Sequence, residues 1–373
     1  MATSHRAVTD RLRPPTAAER AGALAAVTHH LPPTPLRATE VPTPGGPTPA
    51  LLKLEIAQPT GAFKVRGALA ALTSLPDEAH AVSASAGNHA LGMAWAANRL
   101  GRPVTVVTAA TASQSKLAAL RRWEAVPRSR VTLRTEGATY EQAEAAARRL
   151  VEMDLAAATY VSSYSDWAVI AGQSSLGAEL GDQLPEDGGP LTVVTPLGGG
   201  GLASGLCLWA EGRPDVTVVA VEAVASPAVG AAVEAGAIVT VDVAATIADG
   251  LSGNLEEGSP TPAVIGGAVA AGRARIERVT EDEIRSAMRW LFAAEGLVVE
   301  GAGAAGLAAV LAGRAGRAAV LAGRAGRAAV LAGRAGRAAV LAGRAQRRGR
   351  LVVLLTGRNV APGTYAAVLA ERD

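Results

Sequence analysis

The feature that most constrains the fold is a run of four consecutive glycines: Gly198, Gly199, Gly200 and Gly201. They follow a short apolar run at 191–195, which predicts a buried strand, and Pro196 marks the turn between them. An apolar stretch that begins at Leu202 predicts a helix directly after them. The backbone N–H groups of such a loop, reinforced by the start of a helix, bind phosphate. A flexible linker is the competing interpretation, and the flanking strand and helix disfavour it.

Short apolar runs alternate with helical stretches along much of the chain. Six runs predict buried strands, at 51–55, 81–85, 103–107, 191–195, 216–222 and 351–355. This alternation is typical of parallel βα units, so the predicted fold class is α/β. At 373 residues, the chain is long enough for two domains. Because only 3% of its residues are aromatic, the cores must be built mainly from Ala, Val, Leu and Ile.

A lysine in a turn-like segment is the second chemical feature. Lys64 lies in the stretch 58–68, which reads Gln-Pro-Thr-Gly-Ala-Phe-Lys-Val-Arg-Gly-Ala. Taken alone, it could be an ordinary surface residue. Together with the glycine loop, it indicates a phosphate-containing cofactor bound through the lysine amine. Three further motifs follow in order: Ser-Ala-Gly-Asn-His-Ala at 85–90, Thr-Ile-Ala-Asp-Gly-Leu at 246–251 and Thr-Gly-Arg-Asn at 356–359.

With these motifs in this order, the chain resembles the serine/threonine dehydratase family from about Thr34 to its C-terminus. Members of this family are pyridoxal-phosphate-dependent enzymes of fold type II, similar to the tryptophan synthase β subunit. The resemblance implies two open, twisted, mostly parallel sheets flanked by helices, with pyridoxal 5'-phosphate between the domains. It assigns 50–150 to a smaller domain that carries Lys64. It assigns 1–49 and 151–373 to a larger, discontinuous domain.

The resemblance also implies a set of cofactor-binding residues: Phe63, Lys64, Asn88, Gly198, Gly199, Gly200, Gly201, Glu300 and Thr356. Lys64 would form a Schiff base with the cofactor aldehyde and later act as a base. Asn88 would hydrogen-bond the 3-oxygen of the cofactor, and the Thr356 hydroxyl would face the pyridine nitrogen. A neutral partner leaves that nitrogen largely unprotonated, which favours β-elimination over transamination. Glu300 would hold the ring region or help set its protonation, or it only begins a helix.

Three positions near these residues carry further expectations. Ala62 replaces the usual serine, which removes a local hydrogen bond without touching the lysine amine. Arg358 replaces a usual second glycine and puts the local backbone geometry in doubt. Asp249 is expected to lie near the site without a catalytic role, since the following Gly250 shapes the pocket.

The loop after the predicted strand 81–85 is expected to bind the substrate carboxylate through backbone N–H groups, because it precedes a helix. Its residues are Ser85, Ala86, Gly87, Asn88 and His89. His89 is expected to fix this loop, with direct proton transfer as the alternative. Racemase relatives place a hydroxyl residue where this chain has Ala86, and alanine cannot exchange a proton. The resemblance therefore favours elimination over racemisation.

No metal site is predicted. Some family members bind a divalent cation through a glutamate after a large-domain strand and an aspartate six residues later. Glu222 matches the glutamate, but Ala228 stands at the second position. The single Cys207 excludes an internal disulfide, and its place after the glycine loop indicates a packed small side chain rather than a nucleophile.

A tandem repeat departs from the family pattern. The unit Leu-Ala-Gly-Arg-Ala-Gly-Arg-Ala-Ala-Val occurs three times over 311–340. It brings six arginines and no acidic residue, so the rest of the chain has a net charge of −3 rather than the overall +3. Two glycines per unit and a drift of about 80° per unit deny a straight helix a lasting apolar face. We expect an extended, kinked or partly disordered insertion of neutral origin, with a polyanion-binding patch as the alternative.

The expected setting is a cytoplasmic enzyme. The N-terminus lacks the apolar segment of a signal peptide, and no apolar run approaches the roughly 20 residues of a membrane span. The expected partner is a small amino-acid substrate, with no nucleic acid and no membrane, and the resemblance implies a homo-oligomer, either dimer or tetramer. Because the chain ends soon after Asn359, no effector-binding module and no isoleucine-type inhibition are expected.

The resemblance implies a pyridoxal-phosphate-dependent ammonia-lyase that converts L-threonine, L-serine or both into a 2-oxo acid and ammonia by β-elimination. Two alternatives stay open. One is another β-eliminating enzyme, acting on 3-hydroxyaspartate or a hydroxyectoine-derived substrate. The other is a catalytically inactive binding protein that retains the fold, which the intact set of Lys64, Asn88, four glycines and Thr356 argues against.

Overall fold

The computed structural model of the protein describes residues 13–153, 158–185, 189–315 and 349–371. These residues form two open β-sheets, one of six strands and one of four, with helices packed against them. The predicted α/β class with two mostly parallel sheets is confirmed.

The larger sheet contains, in spatial order, β1 (Leu36–Thr43), β2 (Gly46–Leu54), β10 (Arg350–Leu355), β7 (Leu191–Pro196), β8 (Val216–Ala223) and β9 (Ala274–Val279). β1 and β2 form an antiparallel hairpin, and every other neighbouring pair is parallel. The residues of β7 are all buried, as expected for an interior parallel strand with both faces covered.

The smaller sheet contains, in spatial order, β5 (Val131–Thr135), β4 (Val104–Thr108), β3 (His80–Ala84) and β6 (Ala158–Tyr160). All three pairings are parallel. Because the carboxyl ends of parallel strands meet at one edge of a sheet, the loops after these strands gather on the same side.

Helices connect the strands of both sheets. They are α1 (Ala17–His30), α2 (Lys64–Ser74), α3 (Asn88–Leu100), α4 (Gln114–Glu124), α5 (Tyr140–Met153), α6 (Trp167–Gln183), α7 (Gly201–Trp209), α8 (Ala228–Ala235), α9 (Thr261–Ala270), α10 (Glu281–Glu295), α11 (Gly301–Leu311) and α12 (Pro362–Ala370). Thr16 and Glu19 form a capping box at α1, Thr280 and Glu283 form another at α10, and Asp166 caps α6.

The sheets divide the chain slightly differently from the predicted domain bounds. β2 pairs within the larger sheet, although most of it lies inside the range 50–150 assigned to the smaller domain. β6 pairs within the smaller sheet, although it lies after residue 150. The domain bounds themselves stay a prediction.

Aliphatic side chains fill the cores, as the scarcity of aromatic residues predicts. Leu307, Met288 and Leu355 belong to one cluster on the larger sheet. Cys207 is buried in another cluster beside Leu176, and burial raises the pKa of its thiol to about 12. The thiol is therefore protonated near neutral pH, which agrees with a packed side chain rather than a nucleophile.

None of the helices in the described ranges is long and apolar enough to cross a lipid bilayer. The predicted insertion at 311–340 lies outside the described residues, apart from 311–315. In that short part Leu311 ends α11 and Ala315 is buried.

A buried ionic cluster joins β2, α2 and α6. Arg66 donates two hydrogen bonds to Glu55, at 2.8 and 2.7 Å, and a third to Glu179 at 2.7 Å. Lys53 contacts Glu179 and donates to the Thr34 carbonyl at 2.7 Å. Since Arg66 and Glu55 are almost fully buried, each charge depends on its partners for the solvation that water supplies elsewhere.

Arg66→Ala should destabilise the protein by about 3–5 kcal/mol, because it leaves Glu55 buried without its main counter-charge. Urea denaturation measures this change in the free energy of unfolding. A matched control is Arg134→Ala, which removes a surface arginine that pairs with Glu136 at 2.9 Å. That change should cost less than about 1 kcal/mol. Similar costs for both variants would contradict the importance of the buried cluster.

Candidate active site

A cavity of about 1290 Å³ opens between the two sheets, where β3, β7 and β10 reach their carboxyl ends. Every residue that the sequence predicts for the site lines it: Phe63, Lys64, Ser85, Ala86, Gly87, Asn88, His89, Gly198, Gly199, Gly200, Gly201, Glu300 and Thr356. Asp249 and Gly250 line it as well. The structure therefore brings the predicted residues together, while the role of each stays a prediction.

The segment before Lys64 is hydrogen-bonded to the residues that follow β10. Ala62 forms an isolated antiparallel bridge with Gly357, and the Phe63 N–H donates to the Thr356 carbonyl at 3.0 Å. Ala62 is fully buried in this bridge, so the methyl group is packed without contacting solvent. Lys64 then begins α2. This arrangement places the lysine beside Thr356.

The Lys64 amine is held inside the cavity. It donates to the carbonyl of Ser163 at 2.8 Å and lies 5.3 Å from the centroid of the Phe63 ring. Burial lowers the pKa of Lys64 to about 8, although the negative charge of Glu256 opposes the shift. An amine with this pKa is partly neutral at physiological pH, which is the nucleophilic form.

The glycine loop leads directly into α7, whose first N–H groups have no partner within the helix. Gly200 has a φ of +90°, a conformation that favours glycine. A Cβ on Gly199 would lie 2.4 Å from the Tyr164 ring, and a Cβ on Gly200 would lie 2.7 Å from the Cβ of Thr261. Side chains do not fit at these positions, so the loop presents backbone N–H groups to the cavity. This is the geometry of a phosphate site.

The loop 85–89 connects β3 to α3, which begins at Asn88. The Gly87 N–H donates to Ser85 Oγ at 3.2 Å, and the first residues of α3 line the cavity, where the start of a helix suits an anion. His89 is buried, and burial together with the charge of Lys64 lowers the pKa of His89 to about 3. The ring is therefore neutral at physiological pH, which supports a structural role for His89 over proton transfer.

Asn88, Glu300 and Asn359 form a hydrogen-bonded group in the cavity. Asn88 Nδ2 donates to Glu300 Oε1 at 2.6 Å, and Asn359 Nδ2 donates to Asn88 Oδ1 at 2.7 Å. The Asn359 backbone N–H donates to the other Glu300 oxygen at 2.9 Å. Glu300 does precede α11, but its side chain makes no capping bond. Burial, assisted by the charge of Asp249, raises the pKa of Glu300 to about 7.

The residues after β10 accommodate both Glu300 and the unusual arginine. Thr356 is buried and lines the cavity. A Cβ on Gly357 would lie 2.2 Å from Glu300 Oε1, so glycine makes room for the carboxylate. Arg358 is exposed, has a negative φ, and its N–H donates to the Gly61 carbonyl at 2.9 Å. The local backbone is therefore compatible with arginine in place of a second glycine.

Glu222 lies at the end of β8, apart from the residues that line the cavity. It is fully buried, accepts the Gly230 N–H at 2.9 Å, and lies 3.5 Å from Arg278 Nε on the neighbouring strand. A guanidinium thus faces the carboxylate. Within the described ranges, no group of three or more His, Cys, Asp or Glu side chains is arranged to hold a metal ion.

Tyr164, Glu256 and Asn359 are among the cavity residues to which no role was assigned from the sequence. Asn359 belongs to the motif at 356–359, and Glu256 follows the motif at 246–251, but neither pattern indicates a contact. Tyr164 carried no sequence signal. It packs on the glycine loop, and its hydroxyl accepts the Glu256 N–H at 2.8 Å.

Comparison with known sequences identifies relatives. Residues 27–333 match the family described as pyridoxal-phosphate dependent enzyme. The chain is 37% identical to an L-threonine ammonia-lyase of Geobacter sulfurreducens over 260 residues, which cover 69% of this chain and 61% of that protein. A catabolic L-threonine dehydratase of Escherichia coli is 34% identical over 257 residues, covering 68% of this chain and 73% of that protein. The chain therefore spans about three fifths of the length of the Geobacter relative.

Solved structures share the fold over almost the whole chain. A threonine deaminase from T.th. has a TM-score of 0.70 at 28% identity, covering 93% of this chain and 99% of that chain. A maize serine racemase has a TM-score of 0.72 at 25% identity, covering 94% of this chain and 95% of that chain. The fold type expected from the resemblance is confirmed, and proteins named for different reactions share it.

Glu300→Gln should remove a pH dependence of stability. The pKa of Glu300 is about 7 in the folded state against 4.5 for a free carboxyl, so the folded state keeps a proton that the unfolded state releases. Stability therefore falls as pH rises from 4.5 to about 7. Between pH 5 and pH 8 the wild type should lose about 2 kcal/mol more than the variant in free energy of unfolding.

Urea denaturation of cofactor-free protein at both pH values measures this difference. Glu257→Gln, at an exposed position, is the control and should keep the pH dependence of the wild type. The same pH dependence in wild type and Glu300→Gln would show that Glu300 does not titrate in this range.

Proposed function

The chain belongs to the family of pyridoxal-phosphate-dependent enzymes, and we propose that within it the protein is an ammonia-lyase. Its reaction converts L-threonine, L-serine or both into a 2-oxo acid and ammonia by β-elimination. The observation that carries the proposal is the buried Lys64 amine, which shares one cavity with a glycine loop at a helix start. Relatives named L-threonine ammonia-lyase and L-threonine dehydratase support the substrate class.

The cavity residues fit pyridoxal phosphate. The glycine loop has no room for side chains, and its N–H groups suit the phosphate. Lys64 supplies an amine with a pKa of about 8 for attachment of the aldehyde. Asn88 supplies an amide for the 3-oxygen, and Thr356 supplies a neutral hydroxyl for the ring nitrogen. When bound, pyridoxal phosphate supplies an electron-withdrawing ring that stabilises negative charge at the substrate Cα.

Lys64 performs the proton transfer in the proposed reaction. Its free amine would act as the base that removes the proton from the substrate Cα. Because burial holds the pKa of Lys64 near 8, the neutral amine is available as a base without strongly alkaline conditions. The Ser163 carbonyl accepts a hydrogen bond from this amine and holds it within the cavity.

The loop 85–89 orients the substrate. Its backbone N–H groups, at the start of α3, bind the carboxylate and leave the Cα proton facing Lys64. Racemisation would need a proton donor on the face of the substrate opposite Lys64. Ala86, in the loop on that face, has no proton to donate. This supports elimination over racemisation, even though a serine racemase shares the fold.

Thr356 and the group of Asn88, Glu300 and Asn359 would hold the ring of a bound cofactor. A neutral hydroxyl near the ring nitrogen would leave that nitrogen largely unprotonated, which favours prompt loss of the β-hydroxyl over transamination. Glu300 fixes Asn88 through its hydrogen bond at 2.6 Å, so Asn88 presents its side chain in one orientation. The expected cytoplasmic location and homo-oligomeric state stay predictions.

A substrate panel separates the proposal from its rivals. Release of ammonia and 2-oxo acid is measured with L-threonine, L-serine and 3-hydroxyaspartate. Turnover of L-threonine or L-serine supports the proposal, and turnover of 3-hydroxyaspartate alone supports the other β-eliminating activity. Cofactor binding without any turnover supports an inactive protein.

Lys64→Ala should abolish both turnover and covalent attachment of the cofactor, because no other residue supplies the amine at this position. Attachment is measured as a gain in protein mass after borohydride reduction with pyridoxal phosphate. The matched control is Lys116→Ala, which removes the other cavity lysine in the described residues. The control should still gain mass. A mass gain in Lys64→Ala equal to that of the wild type would refute the assignment.

A further inference from the structure

The short segment Ser162, Ser163 and Tyr164 connects the reacting amine to an acidic side chain. The Ser163 carbonyl accepts the hydrogen bond from Lys64, and the adjacent Ser162 Oγ donates to Glu256 Oε1 at 2.6 Å. The Tyr164 hydroxyl accepts the Glu256 N–H at 2.8 Å. One segment thus fixes both the amine and the carboxylate, and Glu256 lies close enough for its charge to act on Lys64.

Glu256 lines a part of the cavity to which the proposed function assigns no other group. The glycine loop takes the phosphate, the loop 85–89 takes the substrate carboxylate, and Lys64 marks the position of Cα. The substituents on Cβ therefore extend toward the remaining wall, which includes Tyr164 and Glu256. The Glu256 side chain is only 9% exposed, so its charge is weakly screened by water.

Arg148 does not provide a free positive charge that could bind an anionic ligand. It lines the cavity, but its guanidinium lies 2.6 Å from Glu144 and 3.0 Å from Glu256. It also lies 4.2 Å from the centroid of the Tyr160 ring. With two carboxylates and an aromatic face around it, Arg148 is already neutralised.

Lys116 is also paired with a carboxylate. Its amine lies 2.6 Å from Asp249 across the cavity. Among the described residues that line the cavity, each lysine and arginine other than Lys64 therefore contacts a carboxylate. Glu141 and Glu257 also line the cavity, but both are exposed, so water screens their charges more than it screens that of Glu256. A substrate with a second carboxylate would meet a net negative wall without a free cation to bind it.

We infer that Glu256 is a specificity-determining residue that places a negative charge beside the substrate Cβ and excludes amino acids with a second carboxylate. The inference rests on the proposed function, and it narrows the substrate class to β-hydroxy amino acids with uncharged side chains. Glu256 discriminates by repulsion. A second carboxylate close to Glu256 loses more binding free energy than an uncharged substituent gains at the same place.

The test compares L-threonine with L-threo-3-hydroxyaspartate, which carries a carboxylate in place of the methyl group. The ratio of their kcat/KM values measures the discrimination. In the holoenzyme, Glu256→Gln should reduce the preference for L-threonine by about tenfold or more, because it removes one buried negative charge and leaves Arg148 with a single carboxylate. Glu256→Asp keeps the charge and should keep most of the preference.

The matched control is Glu257→Gln, which removes the same charge from the next, exposed residue. It should change the ratio less than about twofold, since an exposed charge is screened. An unchanged ratio in Glu256→Gln, or an equal change in Glu257→Gln, would overturn the inference. A merely structural role would lower turnover of both substrates together and leave the ratio as it is.

Binding separates failure of this inference from failure of the proposed function. Dissociation constants for both amino acids are obtained by titrating the absorbance of the bound cofactor. If the protein turns over neither amino acid, the proposed lyase activity is wrong. The ratio of the two dissociation constants is then compared between wild type and Glu256→Gln. A change in this ratio supports the role of Glu256, and an unchanged ratio refutes that role.

Discussion

The site depends on a short backbone junction between the segments 61–63 and 356–358. The Phe63 N–H donates to the Thr356 carbonyl and the Arg358 N–H donates to the Gly61 carbonyl, and these two hydrogen bonds form the antiparallel bridge between Ala62 and Gly357. Lys64 begins its helix immediately after the first segment, and the Glu300 N–H donates to the Gly357 carbonyl at 3.0 Å. Buried backbone hydrogen bonds leave little freedom, so one junction sets the positions of the amine, the hydroxyl after β10 and the carboxylate.

The sequence predicts the interior strands of the two sheets and misses the edge strands. All six predicted runs are interior strands, and most of their residues are apolar because interior strands are largely covered by helices. The edge strands β5, β6 and β9 carry polar residues such as Arg134, Thr159 and Glu277. Pairing partners are also non-local, which explains why β2 was placed in the range of the smaller domain although it pairs in the larger sheet.

The motifs at 85–90, 198–201 and 356–359 were predictable because each follows a predictable strand. The contacts among their side chains were not, since they join residues far apart in the chain. Asn359 meets Asn88, and Glu256 meets Ser162, only because two sheets converge. The doubt about Arg358 had the same origin, because its fit depends on the Gly61 carbonyl rather than on its own neighbours in sequence.

Burial shifts the pKa values of Lys64 and Glu300 in opposite directions for a single reason. Desolvation disfavours charge, so it lowers the pKa of Lys64 and raises the pKa of Glu300. Both pKa values are thereby brought close to physiological pH, while Lys116 and Arg148 contact carboxylates. The N–H groups at the starts of α3 and α7 are the groups that we propose bind the anionic parts of a ligand. Backbone N–H groups do not titrate, so anion binding can stay constant across the pH range in which Lys64 gains and loses its proton.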